Sequence, residues 1–225
     1  MLKAVIFDLD GVVIDSNPFH RLAWEKFLVK RGIPVNEDIF NRVISGTPGD
    51  QALRILLGGE ITDDQVQMFV NEIDAEYRES IRNSRAFAPM AGLREFLEEL
   101  KKSGIMIALA TSAPVENIDL VLSGLELSEF FGVIIGKSQV KNGKPHPEVY
   151  LTAMDMLGVQ ADQCVVFEDS LAGVQAAVNA QIKTLGVLTS ETADTLLMAG
   201  ASTTLSDFAG ITLEDLSELL ECRKL

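Results

Sequence analysis

No apolar run in this sequence approaches the roughly 20 residues that a membrane-spanning helix needs, so a membrane span is excluded. Cysteine is scarce. Cys164 and Cys222 are the only two, one inside an apolar run and one near a polar C-terminus, with no metal-ligand spacing between them. Both read as thiols. Positive charge is also in short supply, with 19 Lys and Arg against 33 Asp and Glu and a net charge of −14. A chain this acidic repels polyphosphate backbones unless a basic patch gathers its cations, and no such cluster occurs, so nucleic acid is not an expected partner. A small phosphate would have to be drawn in by local charge, from a metal ion or a few lysines. Internal repeats, low-complexity tracts and proline-rich linkers are missing as well. The start, Met1-Leu2-Lys3-Ala4-Val5-Ile6-Phe7-Asp8, reaches charge too soon for a secretory signal, which makes the cytoplasm the expected compartment.

What is present is the composition of an ordinary globular protein, 47% hydrophobic and 23% charged, in 225 residues. That length suits one core, or one core with a smaller companion. Four short apolar runs lack polar alternation: Ala4-Val5-Ile6-Phe7, Ile105 to Ala110, Val133-Ile134-Ile135 and Cys164-Val165-Val166-Phe167. Such runs suit strands buried on both faces of a parallel sheet. Helical spacing lies between them. Leu93, Phe96, Leu97 and Leu100 share a face that stops at Gly104, and Val115, Ile118, Val121 and Leu122 form another. Val149, Ala153, Met154 and Leu157 precede Gly158, and Leu171, Val174, Ala177 and Val178 make a fourth face. Strand and helix in alternation predict a doubly wound α/β core with a parallel sheet.

Between Asn17 and Arg85 the alternation breaks, leaving helical periodicity such as Trp24, Phe27 and Leu28 or Phe69, Ile73 and Tyr77. Structureless connections of that length are rare, so the segment predicts a small helical cap, residues 17–85, inserted in a core of residues 1–16 and 86–225. The crossings, Val13 to Asn17 and Asn83 to Met90, are the candidate hinges.

Open α/β sheets bind ligands beyond the carboxyl ends of their strands, which directs attention to polar residues just after each apolar run. The first run ends Asp8-Leu9-Asp10-Gly11, two carboxylates two residues apart and a glycine that lets the chain turn away. Thr111-Ser112 follows the second and Glu168-Asp169-Ser170 the fourth, with Lys144 before Pro145 in the loop between the third and fourth. Four converging carboxylates, Asp8, Asp10, Glu168 and Asp169, require a hard cation, and oxygen ligands without His or Cys favour Mg²⁺. A carboxylate beside Mg²⁺ suits attack on phosphorus, with a second carboxyl serving as acid and then base. Each feature alone has a plainer reading. Glu168-Asp169-Ser170 suits a helix cap, Thr111-Ser112 an N-cap before Pro114, and Lys144 a solvated loop lysine. Their conjunction in order favours phosphoryl transfer.

Asp8-Leu9-Asp10-Gly11-Val12-Val13, Thr111-Ser112, Lys144-Pro145 and Glu168-Asp169 resemble the four ordered motifs of the haloacid dehalogenase superfamily, and the insertion resembles the helical cap of its β-phosphoglucomutase-like subfamily. By that resemblance Asp8 is the nucleophile, Asp10 the general acid and base, Thr111 a phosphate ligand and Lys144 the charge-neutralising lysine. Asp8, the backbone carbonyl of Asp10, Glu168 and Asp169 then surround Mg²⁺. Asp10 separates the chain from the dehalogenases themselves, which attack carbon without a metal. His20 and Trp24 match substrate-coupling positions at the cap edge, with cap core as the other reading of Trp24. Ser112, Gly46 and Thr47 complete the expected substrate contacts, with an N-cap as the other reading of Thr47. The mutase's cap arginine has no counterpart in Ile44-Ser45-Gly46-Thr47-Pro48-Gly49-Asp50, nor its cap lysine in Asn71 to Glu76. The expectation is therefore a Mg²⁺-dependent phosphatase of small sugar phosphates or pyrophosphates, monomeric or weakly dimeric. A hexose-phosphate mutase is the alternative, and a non-catalytic metabolite-binding protein stands behind both.

Overall fold

A computed structural model of the chain describes residues 1–44, 47–58 and 61–221, with Asn41 described by its backbone alone. In chain order, β1 (Ala4–Phe7) is followed by α1 (Asn17–Lys30), α2 (Glu37–Ile39), a π-helical turn (Phe40–Ile44), α3 (Gly49–Leu57) and α4 (Asp63–Arg82). Then come α5 (Leu93–Lys102), β2 (Met106–Ala110), α6 (Val115–Gly124), β3 (Val133–Ile135), α7 (Glu148–Leu157), β4 (Cys164–Glu168) and α8 (Leu171–Asn179). The chain closes with β5 (Lys183–Val187), α9 (Ala193–Ala199), β6 (Thr203–Leu205) and α10 (Leu213–Glu221). It divides into two compact units, one of Met1–Asp15 with Ala88–Leu225 and one of Ser16–Phe87.

The larger unit is a doubly wound α/β fold. Its parallel sheet runs β3-β2-β1-β4-β5-β6, so β1 lies at the centre with Phe7 level with Leu109 on one side and Phe167 on the other. Period-two alternation sorts β1 onto two cores. Phe7 stacks on Phe167 at 5.1 Å and meets Phe96, Phe131 and Phe208. On the opposite side, Ala4 and Ile6 join Ala108, Ala110, Val149, Ala153 and Ala177. Small residues there let α7 and α8 come close to the strands. The α5 face of Leu93, Phe96, Leu97 and Leu100 is buried as its spacing predicts.

Three expectations need correction. The sheet has two strands beyond the four apolar runs, because β5 opens with Lys183 and Thr184 and carries Gly186, while β6 has only three residues. In α6, Val115 is exposed while Ile118, Val121 and Leu122 are buried. The buried face of α8 includes Gly173, Val174, Ala176 and Ala177, leaving Leu171 and Val178 exposed. Glu168 explains that rotation: a Cβ on Gly173 would lie 1.7 Å from Glu168 Oε1, so the helix presents its barest residue to a buried carboxylate. Cys164 is a buried free thiol in β4, while Cys222 lies outside the described residues.

Among its described residues the smaller unit is helical, without a strand. Its interior comes chiefly from Phe19, Ala23, Trp24, Phe27 and Leu28 of α1 and Val66, Ile73, Tyr77 and Ile81 of α4. Thr62 and Gln65 form a reciprocal capping box at the start of α4, satisfying donors that the first turn otherwise leaves open. Ion pairs run along the outside, Lys26 with Glu76 at 2.8 Å and Arg31 with Glu72 at 2.6 Å. No helix among the described residues is long and apolar enough to cross a membrane.

Candidate active site

The central position of β1 puts Asp8 at the middle of the sheet's carboxyl edge. Its backbone N–H donates to Phe167 O at 3.0 Å, which brings it level with the end of β4 and hence with Glu168. Beyond Asp8 the chain turns tightly: Gly11 has φ +74° and its N–H donates to Ile14 O at 2.8 Å. That glycine serves a second purpose, since a Cβ there would lie 1.8 Å from Asp169 Oδ2. The Asp169 carboxylate thus packs directly against the turn that follows Asp8.

Lys144 crosses to the same point. Its loop is fastened by Glu148 at the start of α7, whose carboxylate accepts from the Lys141 and Asn142 backbone N–H groups at 2.8 and 3.0 Å. Its ammonium donates to Asp8 Oδ1 at 2.6 Å, Glu168 Oε1 at 2.5 Å and Ala110 O at 3.3 Å. An ammonium has three donors, and these acceptors stand at the ends of three adjacent strands. With its side chain only 8% exposed, Lys144 is no solvated loop lysine.

Glu168 is fully buried and heavily bonded. Oε1 also accepts from the Tyr150 hydroxyl at 2.9 Å, while Oε2 accepts from the Asp169 and Ser170 N–H groups and from Ser170 Oγ. Ser170 Oγ in turn accepts from Gly173 N–H at 3.1 Å, so this residue caps α8 while its neighbours build the site. Asp169 Oδ2 accepts from Thr189 Oγ1 at 3.1 Å and from Ser190 Oγ.

These contacts shape the electrostatics. Burial pushes the Asp8 carboxyl up to about 7 against the pull of Lys144, and the charges of Glu168 and Asp10 push the same way as burial. Asp169 is held well above the usual carboxylate range by burial and then by Glu168 and Asp8, despite its two hydroxyl donors. Burial works against Glu168 too, but Lys144 and the hydrogen bonds to it keep this carboxyl below its ordinary value. Lys144 stays protonated because Asp8 and Glu168 outweigh the cost of its burial.

One lysine therefore faces more buried acid than it neutralises. Asp8, Glu168 and Asp169 offer ligand oxygens within 4.8 Å of one another, a group of hard donors without nitrogen or sulfur. That donor set, short of positive charge, fits a divalent cation such as Mg²⁺. The Asp10 carboxylate is not in the group, though its charge reaches Asp8.

The other expected residues fall as follows. Thr111 is buried one residue beyond β2, its N–H donating to Ile135 O at 2.9 Å and its Oγ1 accepting from Ala113 N–H at 3.2 Å. This bond closes a turn and does not cap α6, whose N-cap residue is Pro114. Ser112 is exposed. His20, Trp24 and Thr47 belong to the smaller unit. There His20 stacks on Tyr77 at 4.1 Å, Trp24 is buried edge-on to Phe27, and Thr47 donates its N–H to Ile44 O at 3.2 Å. Thr47 does not cap α3, where Pro48 holds the N-cap position. Gly46 lies outside the described residues.

Three contributors escaped the sequence reading. Tyr150 has a usable signal, a hydroxyl on an apolar helix face that needs a buried partner. Thr189 and Ser190 follow β5, whose polar opening and Gly186 hide it among the apolar runs, so no strand end marks them.

Comparison with known proteins matches residues 5–187 to the haloacid dehalogenase-like hydrolase family. The chain is 38% identical to a phosphorylated carbohydrates phosphatase of Thermotoga maritima over 202 residues, covering 89% of this chain and 92% of the relative. It is 31% identical to a β-phosphoglucomutase of Bacillus subtilis, covering 96% and 95% of the two chains. The crystal structure of an HAD hydrolase of family IA, variant 3, from Entamoeba histolytica superposes with a TM-score of 0.92 at 30% identity, covering 98% of this chain and 100% of the other.

Proposed function

This chain belongs to the haloacid dehalogenase-like hydrolase family, and from that premise we propose that it is a cytoplasmic phosphatase hydrolysing small phosphorylated carbohydrates through an aspartyl-phosphate. The observation that carries the reading is Lys144 bridging Asp8 and Glu168 beside a third buried carboxylate, Asp169, at the ends of the central strands. Such a site has a nucleophile, a fixed positive charge and a donor set for Mg²⁺. The Thermotoga relative, a phosphorylated carbohydrates phosphatase, supports the substrate class.

Asp8, Glu168 and Asp169 would hold Mg²⁺, joined by the Asp10 carbonyl as the family resemblance implies. When bound, Mg²⁺ supplies positive charge that lets the three carboxylates ionise together and offsets the charge of the phosphate. Lys144 fixes Asp8 Oδ1, and an oxygen of the ionised Asp8 carboxylate attacks phosphorus. The new carboxyl oxygen to phosphorus bond forms as the ester oxygen to phosphorus bond breaks. Asp10 gives the leaving oxygen its proton, then accepts a proton from water as the water oxygen attacks the same phosphorus. Inorganic phosphate leaves, and Asp8 returns as a carboxylate. Thr111, one residue beyond the carbonyl that Lys144 touches, binds the phosphate oxygens.

The Bacillus relative keeps a mutase as the second reading. Against it stands the supply of positive charge in the helical unit. Arg54 is paired with Asp63, Lys26 with Glu76, and Lys30 and Arg31 with Glu72. The missing arginine between Ile44 and Asp50 removes the residue that holds a second phosphate in the mutase it resembles, which favours release of product to water. Supplying β-glucose 1-phosphate with a trace of bisphosphate tests the choice. Inorganic phosphate is the expected product, and glucose 6-phosphate as the main product would establish the mutase. Slow turnover of every ester in a broad panel, alongside tight ligand binding, would instead identify a metabolite-binding protein.

A further inference from the structure

We infer that Thr189 and Ser190 are positioning residues which restrict Asp169 to one-oxygen binding of a divalent cation and so favour Mg²⁺ over Ca²⁺. This rests on the metal-dependent reading above. Both hydroxyls reach the same atom, Asp169 Oδ2, and Thr189 Oγ1 also lies 2.7 Å from Gly11 O. One side chain thereby links the turn after Asp8 to the carboxylate that packs against it.

Capping does not account for the two hydroxyls. Thr192 caps α9, accepting from Thr195 N–H at 3.2 Å. The turn bearing Thr189 and Ser190 is itself fastened, with Leu188 N–H donating to Leu205 O at 2.9 Å and Thr189 N–H to Val187 O at 3.0 Å. Its hydroxyls are consequently presented from a turn pinned to β5 and β6, not from a loose loop.

The consequence concerns geometry. Asp169 is 5% exposed, with Gly11 against Oδ2, the Ser190 hydroxyl donating to that oxygen and the single Thr189 hydroxyl proton shared between it and Gly11 O. Oδ1 is then the oxygen offered to a cation, and the carboxylate binds through one atom. Mg²⁺ demands near-octahedral ligands and takes one oxygen from each carboxylate readily, whereas Ca²⁺ has a larger, looser shell that often takes both. Partners of this outer kind commonly carry about 10–100-fold of metal affinity.

The test uses the full chain, stripped of metal by chelation, with no phosphate ester present. Free Mn²⁺ is measured by electron paramagnetic resonance during titration, then displaced with Mg²⁺ or Ca²⁺. Thr189→Val with Ser190→Ala should weaken Mn²⁺ binding by about 10-fold or more and reduce the preference for Mg²⁺ over Ca²⁺, while Thr189→Ser stays within about threefold of wild type. Ser190→Ala alone should move both quantities in the same direction, and it carries the test if circular dichroism shows the double variant misfolded. A folded double variant with unchanged Mn²⁺ affinity and unchanged Mg²⁺ preference overturns the inference and leaves the metal-dependent reading intact. Wild-type protein that binds no Mn²⁺ overturns both.

Discussion

Lys144 and Lys30 are the same residue put to opposite uses. Lys144 has a side chain 8% exposed, with its ammonium against two buried carboxylates, whereas Lys30 has one 70% exposed that pairs with Glu72 on the surface of the helical unit. Exposed pairs contribute roughly 0–1 kcal/mol, because water already solvates both partners. Burying a pair costs several kcal/mol per ion, by order of magnitude, and Coulomb attraction often does no more than offset it. A core that accepts such a cost at one point, and fills the rest of its interior with Phe7, Phe96, Phe167 and Val166, is poorly explained by stability. The comparison teaches that the buried charges around Lys144 are not explained by stability, whereas exposed pairs such as Lys30 with Glu72 support local structure.

The severest challenge is to remove the nucleophile. Asp8→Asn should lower turnover by at least about 10⁴-fold, the scale on which a covalent nucleophile matters, while circular dichroism and the melting temperature show a folded protein. Retention of more than a trace of the rate in freshly purified protein would end the covalent reading. Chelation comes next. EDTA should remove activity and Mg²⁺ restore it, with Ca²⁺ inhibiting because its coordination sets the reacting atoms apart differently. Activity that survives exhaustive chelation would leave the buried carboxyls without a role for the cation.

Lys144→Ala sharpens the comparison directly, since it deletes the ammonium on which three strand ends converge. A loss of roughly 2–4 kcal/mol in transition-state stabilisation, read from kcat/KM, is the scale expected for a preorganised charge in a dry site. A change below about tenfold would place Lys144 beside Lys30 as a structural cation, and the contrast between the units would collapse.

The larger unit was readable because its candidate site sits on its architecture. Continuous apolar runs mark β1 to β4, and the carboxylates, hydroxyl and lysine come directly after them or in the loop between two of them, so finding strands also found Asp8, Thr111, Lys144, Glu168 and Asp169. The same logic failed at β5. Lys183 and Thr184 interrupt the apolar run at a position that only its place beside β4 makes a strand, and Thr189 and Ser190 were lost with it. Helix phase was legible where burial alone decides it, as in α5, and shifted in α8 where a carboxylate displaced the apolar face. In the smaller unit, periodicity revealed helices and buried aromatics. At His20, Trp24 and Thr47 it does not separate packing from binding, because the same spacing serves both.

The smallest effect is expected at Glu72, which tests the other half of the comparison. Hydrogen bonds from Arg31 and then Lys30 hold its carboxyl below the ordinary value of 4.5. A carboxyl depressed by folding stabilises the folded state at pH values above its unfolded pKa, and the contribution fades as pH falls through the lowered folded value. Glu72→Gln should therefore reduce stability to urea at pH 7 by about 1 kcal/mol or less, and wild type and variant should converge in acid below the usual carboxylate range. Turnover should stay within about twofold, since the pair it breaks lies along α1 and α4 and Arg31 retains its stacking over Phe27 at 3.7 Å and Phe69 at 4.2 Å. A loss of several kcal/mol would show that this surface network carries the helical unit. A large fall in kcat with stability unchanged would show that charge in the smaller unit also serves the reaction, and the division drawn between the two units would have to be abandoned.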